Sequence, residues 1–158
     1  PCMQGAMTPT WNGNARGTFT GLTLNNTMDD LTRAVFEGIS FGLRDNVDRF
    51  EEIGMDCSSV RIVGGSTKSP FWCQMKPDLL GKPLVATKNA EGAAIGAAML
   101  AGVAEGNFKD LDEAADAMVE LGATYEPDPA NKAAYDEAYG RYRECYAAME
   151  PFFDKCYS

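Results

Sequence analysis

The run Val60-Arg61-Ile62-Val63-Gly64-Gly65-Ser66-Thr67-Lys68-Ser69-Pro70 limits this chain more than any other. A β-branched stretch stops at two glycines, small polar residues follow, and a proline stands where a helix can open. That order predicts a strand over residues 60–63, a tight turn, and a helix with Ser69 as its cap and Pro70 at its first position. Paired glycines reach backbone angles closed to other residues and let a ligand approach the main chain. The first amides of a helix lack internal partners and carry partial positive charge, which suits an anionic or polar ligand. The loop reads as a nucleotide holder. By its spelling alone it reads equally well as a plain strand-to-helix connection that binds nothing.

What the chain lacks narrows its chemistry. It has no histidine, which removes Ser-His-Asp and Cys-His machinery, histidine metal sites and histidine general bases. Carboxylates, lysine, backbone amides or groups supplied from outside remain. Cys2, Cys57, Cys73, Cys145 and Cys156 are odd in number and without CxxC spacing, so they read as free thiols in a reducing cytoplasm, without zinc or thiol catalysis. The net charge of −9 argues against nucleic acid, whose binding runs on clustered Lys and Arg. A nucleotide stays compatible, because backbone amides and Mg²⁺ offset its charge locally. No apolar run is long enough for a membrane span, and no signal peptide is expected. The 158 residues suit one domain, 1–158. A first residue that is proline rather than methionine fits a piece of something longer.

Residues 1–14 are turn-rich and carry Met3, Met7 and Trp11, which predicts a loop lying over something apolar. Residues 16–24 alternate, Thr18 and Thr20 against Phe19, and predict a strand. A long helix starts at Thr27, where Thr27 and Asp30 resemble a capping box. Its apolar positions hold a 3.6-residue period to Gly54, the expected C-cap. Gly38 and Gly42 on it predict close packing against another backbone. The helix after the glycine loop should run to about Leu80, kinked or shortened by Pro77. A strand is expected at residues 84–86, and a smooth small-residue helix at 91–101. A short helix capped by Asp110 should reach about Leu121, with residues 123–126 extended. A final helix should cover residues 130–156, its tyrosines at helical spacing forming a packing face. Alternating strands and helices argue an α/β layer fold, and three strands make a thin sheet that asks for more strands upstream.

Several stretches together resemble the FGGY carbohydrate kinases. Gly17-x-Phe19-x-Gly21-Leu22, a seven-residue gap, and Asp30-Leu31-x-x-Ala34-Val35-Phe36-Glu37 resemble the family's second signature. Gly64-Gly65-Ser66-Thr67-Lys68-Ser69-Pro70-Phe71-Trp72 resembles its adenosine-binding motif. Glu91-Gly92-Ala93-Ala94-Ile95-Gly96-Ala97-Ala98 resembles the following interdomain-connecting helix. Pro1-Cys2-Met3-Gln4-Gly5, then Thr8-Pro9-x-Trp11-Asn12 and Ala15-Arg16-Gly17, resemble the stretch before the signature. The Glu126-Pro127-Asp128-Pro129 step and the tyrosine-rich tail are similar to the xylulokinase branch.

The resemblance implies an actin-like ATPase (ribonuclease H-like) fold, this chain being the later part of the second of two domains. It implies ATP and Mg²⁺ in the cleft, and a pentulose, D-xylulose, held mainly by a first domain whose aspartate takes the sugar proton. By position, Gly64 and Gly65 would approach ribose and phosphates. Ser66, Thr67 and Lys68 would border the adenine, and Ser69 would hydrogen-bond near it; a solvated Lys68 is the alternative. Gly92 and Gly96 would pack at the hinge between domains. Trp72 and Gln74 would pack behind the loop, and Glu37 would either position the loop or lie on the helix surface. No catalytic base and no metal ligand is assigned; Asp45 and Asp78 read as helix-surface or capping carboxylates. The isolated chain is expected to be inactive, and the parent to be cytoplasmic, free of nucleic acid and membrane, with a homodimer possible. Two departures stand out. Gly5-Ala6-Met7-Thr8-Pro9 lacks the charged pair of Gly-Glu-Arg-Thr-Pro, which leaves room for a non-catalytic sugar- or nucleotide-binding relative, and Pro77 replaces the usual alanine.

Overall fold

The computed structural model describes residues 1–157. They divide into two compact units. One comprises residues 1–57, 78–81 and the chain from Asp128 on; the other comprises residues 58–77 and 82–127.

The first unit is built on two long helices. α1, Met28–Glu52, opens with the expected box: Asp30 N–H donates to Thr27 Oγ1, and Thr27 N–H donates to the Asp30 carboxylate at 2.8 Å. Those bonds from Thr27, main chain first, hold the Asp30 carboxyl below its ordinary range. α1 closes on Gly54 at φ +84°, with Gly54 N–H on Glu51 O and Met55 N–H on Phe50 O, both 2.9 Å. This is the double bond of a glycine-terminated helix. α5, Lys132–Tyr157, packs on α1 through the tyrosine stripe. Tyr135, Tyr139 and Phe153 are buried, and the Phe41 ring lies 5.8 Å from Tyr139 and 5.4 Å from Tyr142. Tyr139 Oη donates toward Asp45 at 2.6 Å, with the Asp48 carboxylate 3.0 Å away. Asp78 accepts from Asp128 N–H and from Asn131 Nδ2, each at 2.9 Å, and so fixes the start of the tail helix. Asp78 is thus a buried anchor, and Asp45 an acceptor for Tyr139.

Three expectations for this unit are corrected. The 1–14 loop makes a small bridge, Ala6 to Asn12, but Met3, Met7 and Trp11 are 77%, 70% and 80% exposed. They stand mostly in solvent, and the inward positions go to Asn12 and Ala15. Residues 16–24 form no strand: the segment is irregular, bends at Gly21 with φ +74° and enters a turn at Leu24. A strand exists only through a neighbour's hydrogen bonds, and among the described residues none lies beside this segment. Gly38 and Gly42 meet no backbone: a Cβ there would lie 3.8 Å from the Pro1 ring and 3.9 Å from Tyr142 Oη, ordinary contacts.

The second unit is a three-stranded sheet with helices. β1, Val60–Ile62, runs parallel to β2, Leu84–Thr87, with Val60 opposite Leu84. β2 runs antiparallel to β3, Leu121–Tyr125, with Thr87 opposite Leu121. Central β2 buries Leu84 and Ala86. α3, Gly92–Ala104, follows β2, and α4, Leu111–Met118, packs on α3. Asp110 caps α4 by accepting from Glu113 N–H at 3.0 Å. α4 stops three residues short of Leu121, correcting the expected end. Val119 turns extended, φ −93° and ψ 111°, because Leu121 belongs to the sheet. Among the described residues there are thus three strands, but the third is the segment expected only to be extended, not residues 16–24.

α2, Pro70–Leu80, contains Pro77 in its interior. Proline cannot donate to the carbonyl of Cys73, yet the helix is not shortened and ends at Leu80 as expected. The boundary between the two units falls at this residue. Among the described residues no helix is long and apolar enough to cross a membrane, and all five cysteines are free thiols.

Candidate nucleotide-binding loop

The six loop residues singled out above lie together between β1 and α2. Gly64 takes φ +103° and ψ −172°, a conformation that L-residues rarely adopt. It breaks the direction of β1 and starts a 3-10 turn, Gly65–Lys68. Thr67 N–H and Thr67 Oγ1 both donate to Gly64 O, at 3.1 and 2.8 Å, and Ser69 N–H donates to Ser66 O at 3.3 Å. The Cys73 thiol lies 3.4 Å from Ser66 O and tightens the turn from the α2 side. Gly65 and Ser66 lead the turn, so their N–H groups have no preceding carbonyl in it to bond. A Cβ at either Gly64 or Gly65 would meet nothing within 4 Å. The glycine pair therefore presents bare backbone to open space.

Ser69 acts as predicted: its Oγ accepts from Trp72 N–H at 3.3 Å. This shifts the available donors. The amides offered to a ligand belong to Gly65 and Ser66 on the 3-10 turn, while the start of α2 is occupied by Pro70, which has no N–H, and by the Ser69 cap. Lys68 is exposed at the end of the turn.

Behind the loop, Gln74 Nε2 donates to Glu126 O at 2.8 Å, and Lys76 Nζ sits 4.2 Å above the Trp72 ring. Lys76 is buried, and that burial lowers its pKa from the ordinary lysine value. Both Trp72 and Gln74 are packing or anchoring groups. Glu37 pairs with Arg33 at 2.8 Å on the α1 surface.

Of the two helix glycines, Gly92 has a definite local role. A Cβ on it would lie 2.6 Å from Val63 Cγ2, so only glycine lets α3 reach the residue that leads into Gly64. Gly96 meets nothing within 4 Å. Between β1, β2 and α3 lies a mainly apolar cavity of about 240 Å³, lined by Ile62, Val63, Thr87, Gly92, Ile95 and Met99 among others. That is below the usual volume of a small-molecule site. Sequence reading missed the Gly92–Val63 contact and the brace from Cys73 to Ser66. Neither has a local spelling, because each joins residues on different elements or turns.

Fold and loop together define a class: an α/β unit whose glycine-paired strand-to-helix loop offers main-chain donors. The chain belongs to the FGGY family of carbohydrate kinases; residues 1–105 match the model of that family's C-terminal domain. Its α/β architecture is that of the family, an actin-like ATPase fold. It is 32% identical over 146 residues to a xylulose kinase of Staphylococcus epidermidis, covering 92% of this chain and 29% of that protein. Among solved structures, ligand-bound xylulose kinase from Lactobacillus acidophilus superposes with TM-score 0.83 at 30% identity, over 97% of this chain and 31% of that one. Gluconate kinase from the same organism gives 0.82 at 30% identity, with the same coverage. Glycerol kinases also match. The chain spans under a third of the length of these relatives.

Proposed function

We propose that the chain is the nucleotide-side portion of an ATP-dependent carbohydrate kinase, with D-xylulose as the sugar and xylulose 5-phosphate as the product. The observation that carries this reading is the bare Gly64-Gly65 backbone, open to solvent at the head of a 3-10 turn, in a chain of this family. The N–H groups of Gly65 and Ser66 bind phosphate oxygens, and Gly64 and Gly65 let ribose and phosphates come within contact of the main chain. Thr67 and Lys68 border the base, while Ser66, first expected at the adenine, turns its N–H to the phosphates from the head of the turn. Ser69 Oγ already accepts from Trp72, so its hydroxyl proton is what remains for a ligand.

The empty volume where each glycine lacks a Cβ fits a nucleotide. The donor set does not fit a protein-held Mg²⁺: among the described residues no three His, Cys, Asp or Glu side chains gather to hold a metal. Mg²⁺ would therefore arrive on the phosphates. In the transfer, the bond from the γ-phosphorus to the bridging oxygen breaks and a bond to the sugar oxygen forms. The hydroxyl proton goes to a base outside these residues, so the isolated chain does not phosphorylate sugar. Such catalysis is mainly positioning and charge stabilisation. The xylulose kinases of sequence and structure support the choice of sugar; a cytoplasmic location is proposed with it.

The test is sugar-dependent ADP release by the full parent polypeptide with MgATP, across ketopentoses, polyols and hexoses. Turnover with D-xylulose above the others supports the reading, and turnover with glycerol or gluconate instead reassigns the substrate. No turnover with any sugar, with ADP binding retained, favours the non-catalytic relative that the Ala6-Met7 pair allows.

A further inference from the structure

The glycine loop is held from behind by a buried thiol. Cys73 lies one turn into α2, where its N–H donates to Ser69 O at 2.9 Å, and it is fully buried. Its thiol reaches back to two loop carbonyls, Ser66 O at 3.4 Å and Thr67 O at 3.8 Å. Side chains on a helix lean toward the preceding turn, so position 73 is placed for this contact. In a 3-10 turn the carbonyls point forward along the chain and the N–H groups point backward. A donor on the α2 side therefore fixes the carbonyl side of the Gly65–Lys68 turn. The N–H groups of Gly65 and Ser66 are left facing away from α2.

The thiol is itself held from β3. Tyr125, half-buried at the end of that strand, has its pKa raised by burial first, and then by its charge interaction and hydrogen bond with the Cys73 thiol. A phenol that keeps its proton gives it to the sulfur, which leaves the thiol proton for the loop. The next residue on each side repeats the contact, since Gln74 Nε2 donates to Glu126 O at 2.8 Å. Two consecutive residues of α2 thus meet residues 125 and 126, and the path Tyr125–Cys73–Ser66 runs from the sheet to the head of the loop.

We infer that Cys73, with Tyr125 behind it, is a positioning residue for nucleotide binding: its bonds to the carbonyls of Ser66 and Thr67 set the loop so that the Gly65 and Ser66 amides are aimed before the ligand arrives. This role rests on the reading of the loop as the nucleotide site. A thiol is a weak donor, yet a loop already in its bound shape spares the ligand the cost of ordering it. The effect therefore falls on affinity.

The test measures ADP affinity by calorimetry in the parent polypeptide, with the melting temperature followed alongside. Cys73→Ala removes the donor and Cys73→Ser keeps one. Cys73→Ala is expected to weaken ADP about threefold to tenfold. Cys73→Ser is expected to bind ADP at least about threefold more tightly than Cys73→Ala, although both lose the sulfur. The amide shifts of Gly65 and Ser66 should move in Cys73→Ala and return toward the parent values in Cys73→Ser. Equal affinities of the two variants make Cys73 a core filler and overturn the role. Gly65→Val, run in parallel, separates this role from the loop reading beneath it. Loss of ADP binding in Gly65→Val, with Cys73→Ala binding like the parent, overturns the positioning role and leaves the site standing. Normal ADP binding by Gly65→Val removes the loop from the nucleotide site, and the role of Cys73 falls with it. Should Cys73→Ala unfold the parent, Tyr125→Phe takes its place, since it leaves the thiol and its volume intact. ADP binding about twofold to threefold weaker is then expected, and unchanged affinity overturns the role.

Discussion

Gly64 and Gly65 are neighbours with different reasons to be glycine, and substitution separates them. Gly64 needs its positive φ, so Gly64→Ala strains the backbone by about 1–3 kcal/mol although its Cβ would meet nothing. Gly65 carries no such angle and also faces open space. Gly65→Val therefore leaves the melting temperature of the parent almost unchanged while blocking approach to the loop, and ADP affinity by calorimetry falls at least about tenfold. A stable Gly65→Val protein that binds ADP normally removes the loop from the nucleotide site. Tyr139 supplies a pH prediction. Burial first, then its hydrogen bonds to Asp45 and Asp48, raise its pKa above the ordinary tyrosine value, which is about 10. The unfolded chain releases the phenol proton above that pH while the folded chain keeps it. The contribution is therefore complete below about pH 10 and is lost as pH rises further. Tyr139→Phe should cost about 1–2 kcal/mol at pH 8 and flatten the alkaline fall of stability, measured by urea unfolding from pH 8 to 11.5.

At the scale of elements, α3 carries the clearest contrast. Gly92→Ala drives a methyl to 2.6 Å from Val63 Cγ2; overpacking of that kind costs about 1–3 kcal/mol, more than the helix gain of about 1 kcal/mol. Gly96→Ala meets nothing within 4 Å and should stabilise the chain by up to about 1 kcal/mol. If Gly96 packs at a domain crossing in the parent, the same change lowers kcat there; unchanged turnover takes Gly96 out of the hinge. Elements with a strong local signal were legible in the sequence: the Thr27–Asp30 box, the Gly54 end of α1, the Ser69-Pro70 start of α2 and the tyrosine face of α5. Elements defined by a distant partner were not. Residues 16–24 alternate like a strand, yet without a neighbour they stay irregular and bend at Gly21. Leu121 looked helical because Asp110 starts a helix, but its pairing with Thr87 is written on β2. The local course of the loop could be read because glycine, serine and proline act locally; the contact of Gly92 could not, since Val63 lies on another element.

For the whole molecule, charge and architecture lead to a last prediction. On the proposed reading, a chain with net charge −9 offsets an anionic nucleotide with the donors around Gly65, Ser66, Lys68 and Ser69. Two main-chain amides and one exposed lysine would make a weak anion site, because each is solvated before the ligand arrives. On the proposed reading, tight binding and turnover both draw on groups converging from outside residues 1–158. The isolated chain should therefore bind ADP at least about tenfold more weakly than the parent, because the cost of immobilising the ligand is met by fewer contacts. It should show no sugar-dependent ADP release. Calorimetry of both proteins at equal ionic strength gives the comparison, and Lys68→Ala should weaken binding in both by a similar factor. Equal ADP affinity in chain and parent would mean that the loop and its own unit complete the nucleotide site, leaving the remainder of the parent to bring only the sugar and the base.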